Sequence, residues 1–475
     1  MATRAPSPAT VAAIGAAVLA LIALLVAPAT AADDAAELFP LAVGALVAAV
    51  CAYVAWTADP AYTLTGAILL TPLAGNWPEL GVPGPLSPDR ILFLGGIAAV
   101  LLRAPAARDR PPLKIGVEHW LLGLALLYAV VSAVLVGTIS DRASMLKLVD
   151  AYGVIPFGVF VVAPIAFRTA EARRVLLAGL VGLGTYLSVT VVFETAGLDA
   201  LVFPRYIVDE AYGIHAGYGR GPFVDAVANG MALFFCAVAC AIAVALWEDR
   251  SWRIFAGAVG VLCLVGTFLT LERSVWIAVV VGVTAATMAS RGLRRYFVPL
   301  VVVVAVVGVS AVALVPGLAA RVDTRANEQG TVWDRQNLAR ASINMIEAKP
   351  LFGFGWDRFT ADSRDYFEQS PDYPLTATRA NSHNIPLTYA VDLGLVGLTL
   401  WALALLFAIG AALSTRGPPD LLPWRIGLLA VAMAFVVVAN AVPPTAWPNR
   451  SLWLLAGVAL SGRYIGQAAG AARGR

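Results

Sequence analysis

Charged residues are scarce in this sequence. Asp, Glu, Lys and Arg together make up 13% of its 475 residues, whereas about a quarter of an average soluble domain is charged. The formal net charge is only +3, which gives no indication of a nucleic-acid partner. The composition therefore argues against a soluble domain and against a protein that binds DNA or RNA.

Cysteine is also rare, and each of the four cysteines lies inside an apolar stretch. Cys236 and Cys240 are four residues apart, which places them on one helix face. No further residue accompanies them with the spacing of a metal site. We interpret all four as small buried hydrophobic residues, and the sequence predicts neither a metal nor another cofactor.

Apolar sequence is abundant instead. Hydrophobic residues make up 60% of the chain, and its mean hydropathy is +0.79. Apolar runs of membrane-crossing length recur throughout, so we predict an all-α polytopic integral membrane protein with about 12 to 14 transmembrane helices. The first segment, near residues 10–32, is interpreted as a retained helix and not as a cleaved signal peptide. The long stretch 253–290 is predicted to be two helices with a tight turn at Glu272-Arg273-Ser274.

Basic residues predict the orientation of these helices. With the N-terminus inside, the inner loops hold more arginine and lysine than the short outer loops, among which we count those of Arg90 and Arg450. Both termini are therefore predicted to be cytoplasmic. A long outer segment, residues 316–383, contains a predicted amphipathic helix from Asp334 to Ala348. Pro350 is expected to end that helix, and the glycines after it to turn the chain.

Several arginines on the predicted outer side are not required by the orientation rule: Arg220, Arg273, Arg335 and Arg340. Guanidinium groups bind phosphate oxygens bidentately and keep their charge. Close to a bilayer surface, they suit a lipid-linked phosphate or pyrophosphate. The alternative is that they are ordinary interfacial arginines, which extend to the headgroups or pair with Glu272 and Asp334.

His383 stands where the long polar segment meets a very apolar helix. Pro386 suits the first turn of that helix, so we expect His383 to lie at about the N-cap. The positive end of a helix dipole favours a neutral imidazole there, and a neutral imidazole can accept a proton as a general base must. The alternative is a polar residue that only begins the helix.

Four motifs resemble those of the O-antigen ligase/polymerase superfamily, in that superfamily's order. Its His-Asn…Leu…Glu-x-Gly…Gly signature here reads His383-Asn384, Leu387, Asp392, Gly394 and Gly397. The three upstream motifs are Arg220-Gly221-Pro222-Phe223 with Asn229, Leu269–Trp276 around Glu272-Arg273-Ser274, and Ala348–Trp356 with its Pro-Leu-x-Gly-x-Gly turn. The chain departs from the superfamily at Asp392, where Glu is usual, at the reversed pair Arg273-Ser274, and at Ala228, where Pro is usual.

The resemblance implies a GT-C-like membrane glycosyltransferase that is metal-independent and inverting. Such an enzyme moves a glycan from a polyprenyl-pyrophosphate carrier to an acceptor hydroxyl on a glycan, lipid or protein, at the outer face of the bacterial cytoplasmic membrane. By position, His383 is the implied base, and Arg220 and Arg273 hold the diphosphate, with Arg335 and Arg340 as lesser candidates. Asn384, Asp392 and Glu272 are implied supporting residues.

The domain organisation follows from these assignments. We predict one membrane domain over residues 1–475: an N-terminal helix stack (1–200), an O-antigen ligase-like core (215–412) that contains the extracytoplasmic loop 316–383, and C-terminal helices (413–475). A surface-polysaccharide polymerase of the same superfamily is the nearest alternative. A transporter or lipid flippase is the alternative of another class; it predicts charged, broken helices near the bilayer midplane and related halves.

Overall fold

The computed structural model describes residues 35–80, 82, 87–103, 112–212, 217–314, 317–327, 330–367, 382–444 and 446–465. Within these ranges the regular structure is helical and contains no strand. The predicted first helix and both chain termini lie outside the described residues, as do parts of the predicted loop 316–383.

The α-helices follow one another closely along the described chain. They are α1 Ala35–Thr57, α2 Pro60–Leu70, α3 Pro88–Arg103, α4 Val117–Leu135, α5 Arg142–Lys147, α6 Val154–Ala166, α7 Ala170–Thr195, α8 Ala226–Leu246, α9 Arg250–Leu269, α10 Arg273–Ala289, α11 Arg291–Leu314, α12 Leu318–Asn327, α13 Gly330–Ala348, α14 Phe359–Asp362, α15 Ile385–Ser414, α16 Leu422–Ala439 and α17 Ala446–Leu460. A single π-helical turn, Leu148–Tyr152, joins α5 to α6.

Seven helical stretches of the described part are long and apolar enough to cross a membrane: Val117–Leu135, Arg142–Ala166, Ala170–Thr195, Ala226–Leu246, Arg250–Leu269, Ile385–Ser414 and Pro419–Ala439. Two shorter apolar helices, Gly44–Thr57 and Arg273–Ala289, accompany them. The chain is thus a polytopic, all-helical membrane protein, as predicted. Other predicted spans form helices where expected, but α2 and α3 have 11 and 16 residues, fewer than the roughly 20 that a crossing requires.

Small residues let these helices approach one another closely, as is usual where lipid replaces water around a bundle. A Cβ atom added at Gly184 would lie 2.9 Å from the Cys263 sulfur, and one at Gly282 only 2.5 Å from the Ala430 carbonyl oxygen. All four cysteines are free and buried, which confirms the prediction that they pack as hydrophobic residues.

A buried ion network ties three distant parts of the chain together at the His383 end of the bundle. Arg450 lies inside α17 and is fully buried, so its predicted place in an outer loop is wrong. Its guanidinium pairs with Asp89 of α3 at 2.7 Å and with Asp150 of the π-helical turn at 2.8 Å. Asp150 also accepts from Arg90 at 3.0 Å. A buried charge is tolerated when it is paired in this way.

Candidate functional site

Helix α15 is broken near its N-terminal third. Gly394 has φ 68° and ψ −176°, a backbone conformation that is essentially restricted to glycine. The helical hydrogen-bond ladder is therefore interrupted, and backbone groups on both sides of the break need other partners. The sequence motif Asp392-x-Gly394 marks this break.

The turn that follows α13 fills the break with its own backbone. Four hydrogen bonds join the two segments: Leu395 N to Pro350 O (2.8 Å), Val396 N to Leu351 O (3.2 Å), Phe354 N to Val391 O (2.8 Å) and Gly355 N to Asp392 O (2.8 Å). We call residues 350–355 the inserted turn. Two motifs that are some forty residues apart in sequence thus form one structural unit.

The glycines of both motifs make this approach possible. A Cβ atom at Gly353 would lie 2.5 Å from the Gly394 nitrogen and from the Val391 oxygen. A Cβ atom at Gly394 would lie only 2.2 Å from the Leu351 oxygen. Any side chain at either position would push the two backbones apart.

Asp392 holds the chain immediately after the inserted turn. Its carboxylate is buried and accepts three backbone N–H groups, from Asp357 (3.2 Å), Arg358 (3.1 Å) and Phe359 (2.9 Å). It lies nine residues after His383, roughly 13 Å along a helix. Its contacts are those of a positioning residue for the 357–359 backbone.

The segment after the inserted turn also docks against the N-terminal half of the chain. The Trp356 indole donates to the Ser144 carbonyl at 3.1 Å. Asp357 accepts from Lys147 at 2.7 Å and from the Ser144 hydroxyl at 2.6 Å. The hydrogen bond from the Ser144 amide, at 2.8 Å, holds the pKa of Asp141, the N-cap of α5, below its usual value. Sequence reasoning did not single out any of these residues as a contact of the motif.

Aromatic rings link Trp356, directly after the inserted turn, to the first turns of α15. Tyr152 packs edge-on against Trp356 at 5.1 Å between ring centroids and against Tyr389 at 5.0 Å, and Tyr389 also contacts Trp401 at 5.1 Å. Edge-to-face pairs at these distances are favourable. The His383 end of α15 therefore rests on a rigid aromatic layer.

His383 lies one residue before the N-cap of α15. That position belongs to Asn384, whose side-chain oxygen accepts the Leu387 amide at 2.9 Å. The prediction that His383 caps the helix is wrong by one residue, because a short amide side chain reaches the first-turn N–H groups and imidazole is not a favoured cap. His383 is half-buried and has φ 47°, in the left-handed region. The Ser382 hydroxyl donates to the Asn384 carbonyl at 3.0 Å, across His383.

Asn440 lies next to this tight turn. It follows the last residue of α16, and its side-chain oxygen accepts from the Asn384 amide nitrogen at 3.4 Å. The Asn440 amide also donates to the Val436 carbonyl at 2.8 Å. In the sequence this residue only marks the end of an apolar run, so its place beside Asn384 could not be inferred.

Arg273 lies at the same end of the bundle. It is the first residue of α10 and not the apex of the turn, which is Leu271 with φ 54°. Helices α10 and α16 run antiparallel with Gly282 level with Ala430. Arg273 lies nine residues before Gly282, and Ala439 lies nine residues after Ala430. Because the two helices run antiparallel, Arg273 is level with Ala439, next to Asn440. The guanidinium is half-buried, and no described residue pairs with it or accepts a hydrogen bond from it.

Residues 258–402 match a family model described as O-antigen ligase. The match supports the resemblance to the O-antigen ligase superfamily that the sequence motifs indicate. The match begins in α9 and ends in α15, so it includes Arg273, the inserted turn, His383 and the Asp392–Gly394 break. No curated protein matches the sequence significantly. The matched domain supports a role as a membrane enzyme of the ligase or polymerase type, acting on lipid-linked glycans in surface-polysaccharide assembly.

Arg220 lies outside the matched O-antigen ligase domain and has a different setting from Arg273. It is 1% exposed, and its guanidinium donates to the backbone carbonyls of Ile207 (3.0 Å), Asp209 (2.6 Å) and Tyr212. Glu194 accepts the Arg220 amide at 3.0 Å. In this conformation Arg220 organises the loop before α8. Its predicted contact with a diphosphate stays a prediction, and it requires those carbonyls to be released.

The other predicted site residues are spread around the same end of the O-antigen ligase domain. Helix α13 carries Arg335, half-buried, and Arg340, exposed. It packs on α15 through Leu338 and Met345, which confirms the predicted amphipathic helix. Glu272 precedes α10 and is buried. Among the described residues no group of three or more His, Cys, Asp or Glu side chains is placed to hold a metal ion.

Proposed function

We propose that the protein transfers a glycan from a polyprenyl-(pyro)phosphate carrier to an acceptor hydroxyl at the extracytoplasmic face of the cytoplasmic membrane. The observation that carries the proposal is that an arginine and a histidine lie at the same end of the bundle. Arg273 has no partner among the described residues, and His383 stands close to its level, beside the Asn384–Asn440 contact.

In this proposal His383 accepts the proton of the acceptor hydroxyl. The acceptor oxygen then bonds to the anomeric carbon of the donor, the bond from that carbon to the carrier phosphate breaks, and the configuration inverts. The left-handed backbone of His383 supports such a role, because backbone conformations that cost free energy are concentrated at functional sites. Hydrogen bonds of Asn384 and Ser382 hold the backbone on both sides of His383.

Arg273 is proposed to hold the diphosphate that leaves. A guanidinium can donate hydrogen bonds to two phosphate oxygens at once. Because Arg273 is already in position when charge develops on the leaving group, it needs no reorganisation during the reaction. Arg335 and Arg340 are proposed as additional contacts from α13, and Asp392 and Glu272 as supports of the backbone. The acceptor is a hydroxyl of a glycan, lipid or protein, so both a ligase and a polymerase agree with the arrangement.

The test of His383 is a transfer assay with purified protein in proteoliposomes, a lipid-linked glycan and an acceptor glycan. General-base catalysis contributes about 10²- to 10⁴-fold, so His383→Ala should lower kcat by that factor. The thermal unfolding midpoint of the variant should match the wild-type value. A His383→Ala protein with wild-type kcat excludes the imidazole as the base.

The test of Arg273 compares it with an arginine at the other end of the bundle. A hydrogen bond to a charged group is worth about 1.5–3 kcal/mol, so Arg273→Ala should raise the donor KM by roughly ten- to a hundredfold. Arg168 is also half-buried, and its side chain has no partner among the described residues. Arg168→Ala is therefore the matched control and should leave KM unchanged. Equal KM values for the two variants contradict the proposed contact.

A further inference from the structure

The length of α15 places the inserted turn relative to the membrane. The helix has 30 residues, about 45 Å, whereas the hydrocarbon core is about 30 Å thick. Residues 395–414, after the break, are long enough to cross it and contain no charged residue. The polar side chains Asn384 and Asp392 precede the break. Gly394 and the inserted turn therefore lie near the edge of the hydrocarbon core.

Helix α4 gives independent evidence for the position of the inserted turn along the membrane normal. It is a membrane-crossing helix of 19 residues that ends at Leu135. The Trp356 amide, next to the inserted turn, donates to the Ser132 hydroxyl at 3.0 Å, and the Thr138 hydroxyl donates to the Trp356 carbonyl at 2.9 Å. The turn is thus level with the end of α4, again at the edge of the core.

The tip of the inserted turn is apolar and exposed. Leu351 is 57% exposed and Phe352 68% exposed. Leu395, whose amide is bonded to the Pro350 carbonyl, is itself 45% exposed. The exposed surface of α15 continues from there to Leu406 and Phe407 along its membrane-crossing part. Leu351 and Phe352 thus continue the exposed apolar surface of α15 to the side of the helix, at the level of the Gly394 break.

Several backbone groups of the inserted turn have hydrogen-bond partners inside the protein. Non-helical backbone enters the apolar region only when its polar groups have internal partners. The carbonyls of Pro350 and Leu351 accept from α15, and the Gly353 amide donates to the Lys349 carbonyl at 3.2 Å. Lys349 is exposed, with its ammonium 4.3 Å from the centre of the Phe354 ring, where a lysine reaches lipid headgroups.

We propose that Leu351 and Phe352 insert into the membrane leaflet nearest His383, with lipid acyl chains as their partner. Lys349 contacts the headgroups above them. Because the same turn is bonded to α15 at its break, this insertion fixes the height of the His383 turn above the bilayer. The proposal depends on packing and exposure alone and holds whatever reaction the protein performs.

Site-directed spin labelling tests this placement without an activity measurement. The native cysteines Cys51, Cys236, Cys240 and Cys263 are buried. Wild-type protein treated with the same spin label is the control for any label that they take up. A nitroxide is attached to Phe352→Cys in vesicles of phosphatidylcholine and phosphatidylglycerol, and its collisions with oxygen and with a water-soluble nickel complex are measured. Leu406→Cys is the lipid reference and Asp365→Cys, exposed beside α14, the aqueous reference.

The label at Phe352 should collide more with oxygen than with nickel, as at Leu406, and the ratio should be the reverse at Asp365. Leu351→Cys should behave like Phe352→Cys, which covers a failure of either variant to fold. Nickel collisions at Phe352 equal to those at Asp365 overturn the proposal. So does a label that neither reagent reaches, because the side chain is then covered by protein.

Discussion

Replacement of Gly394 by alanine tests whether the inserted turn and the α15 break form one unit. The new Cβ atom would lie 2.2 Å from the Leu351 oxygen, whereas ordinary van der Waals contacts of a Cβ atom lie at 3.4–4 Å. The backbone at φ 68° and ψ −176° is also strained for any residue with a side chain. Either the turn must move away or α15 must change its backbone.

The magnitude follows from these two effects. Strained backbone of this kind costs about 1–3 kcal/mol. Moving the turn breaks the bonds from Leu395 and Val396 to the turn carbonyls, at about 0.5–1.5 kcal/mol each. The expected loss of unfolding free energy is therefore about 2–6 kcal/mol, the sum of these ranges.

The assay is thermal unfolding in detergent, followed by tryptophan fluorescence, since Trp356 and Trp401 lie beside the break. Gly410→Ala is the matched control on the same helix: a Cβ atom there meets nothing within 4 Å, and alanine improves helix propensity by about 0.5–1 kcal/mol. Gly394→Ala should unfold at a clearly lower temperature and Gly410→Ala at an unchanged or higher one. Equal midpoints for Gly394→Ala and wild type would show that the inserted turn and the α15 break do not form one unit.

Two further predictions concern buried charges at the same end of the bundle. Arg450→Met leaves Asp89 buried without its cation and should cost about 3–5 kcal/mol, whereas the double change Asp89→Asn with Arg450→Met should recover part of that loss in thermal unfolding. Asp392→Asn turns an amide towards one of three N–H donors and should cost about 1–3 kcal/mol; exposed Asp365→Asn is its control, and equal midpoints for the two contradict the positioning role.

The sequence predicts the helical architecture well because apolar runs and their interruptions are local properties. The amphipathic helix before Pro350 and the two helices around Glu272 are found where the pattern places them. The predicted N-cap of α15 differs from the observed one by one residue, because His383 and Asn384 are both polar residues in front of the helix. Only geometry separates His383 from Asn384.

Contacts between distant segments are the part that the sequence could not provide. Nothing local indicates that Gly353 meets Gly394, or that Asp357 pairs with Lys147. Arg220 and Arg273 look equivalent in the sequence, as outer arginines in similar motifs. The first is surrounded by carbonyls, and the second has no partner among the described residues, because burial depends on the loops that fold over each residue.

The most direct measurement is mass spectrometry of donor, carrier and acceptor after incubation of proteoliposomes with a polyprenyl-pyrophosphate-linked glycan. With the wild-type protein we expect free polyprenyl diphosphate in equal amount to newly glycosylated acceptor, and with His383→Ala at least about a hundredfold less of both in the same time. Intact donor that only changes leaflet, or equal product with His383→Ala, contradicts the proposed transfer.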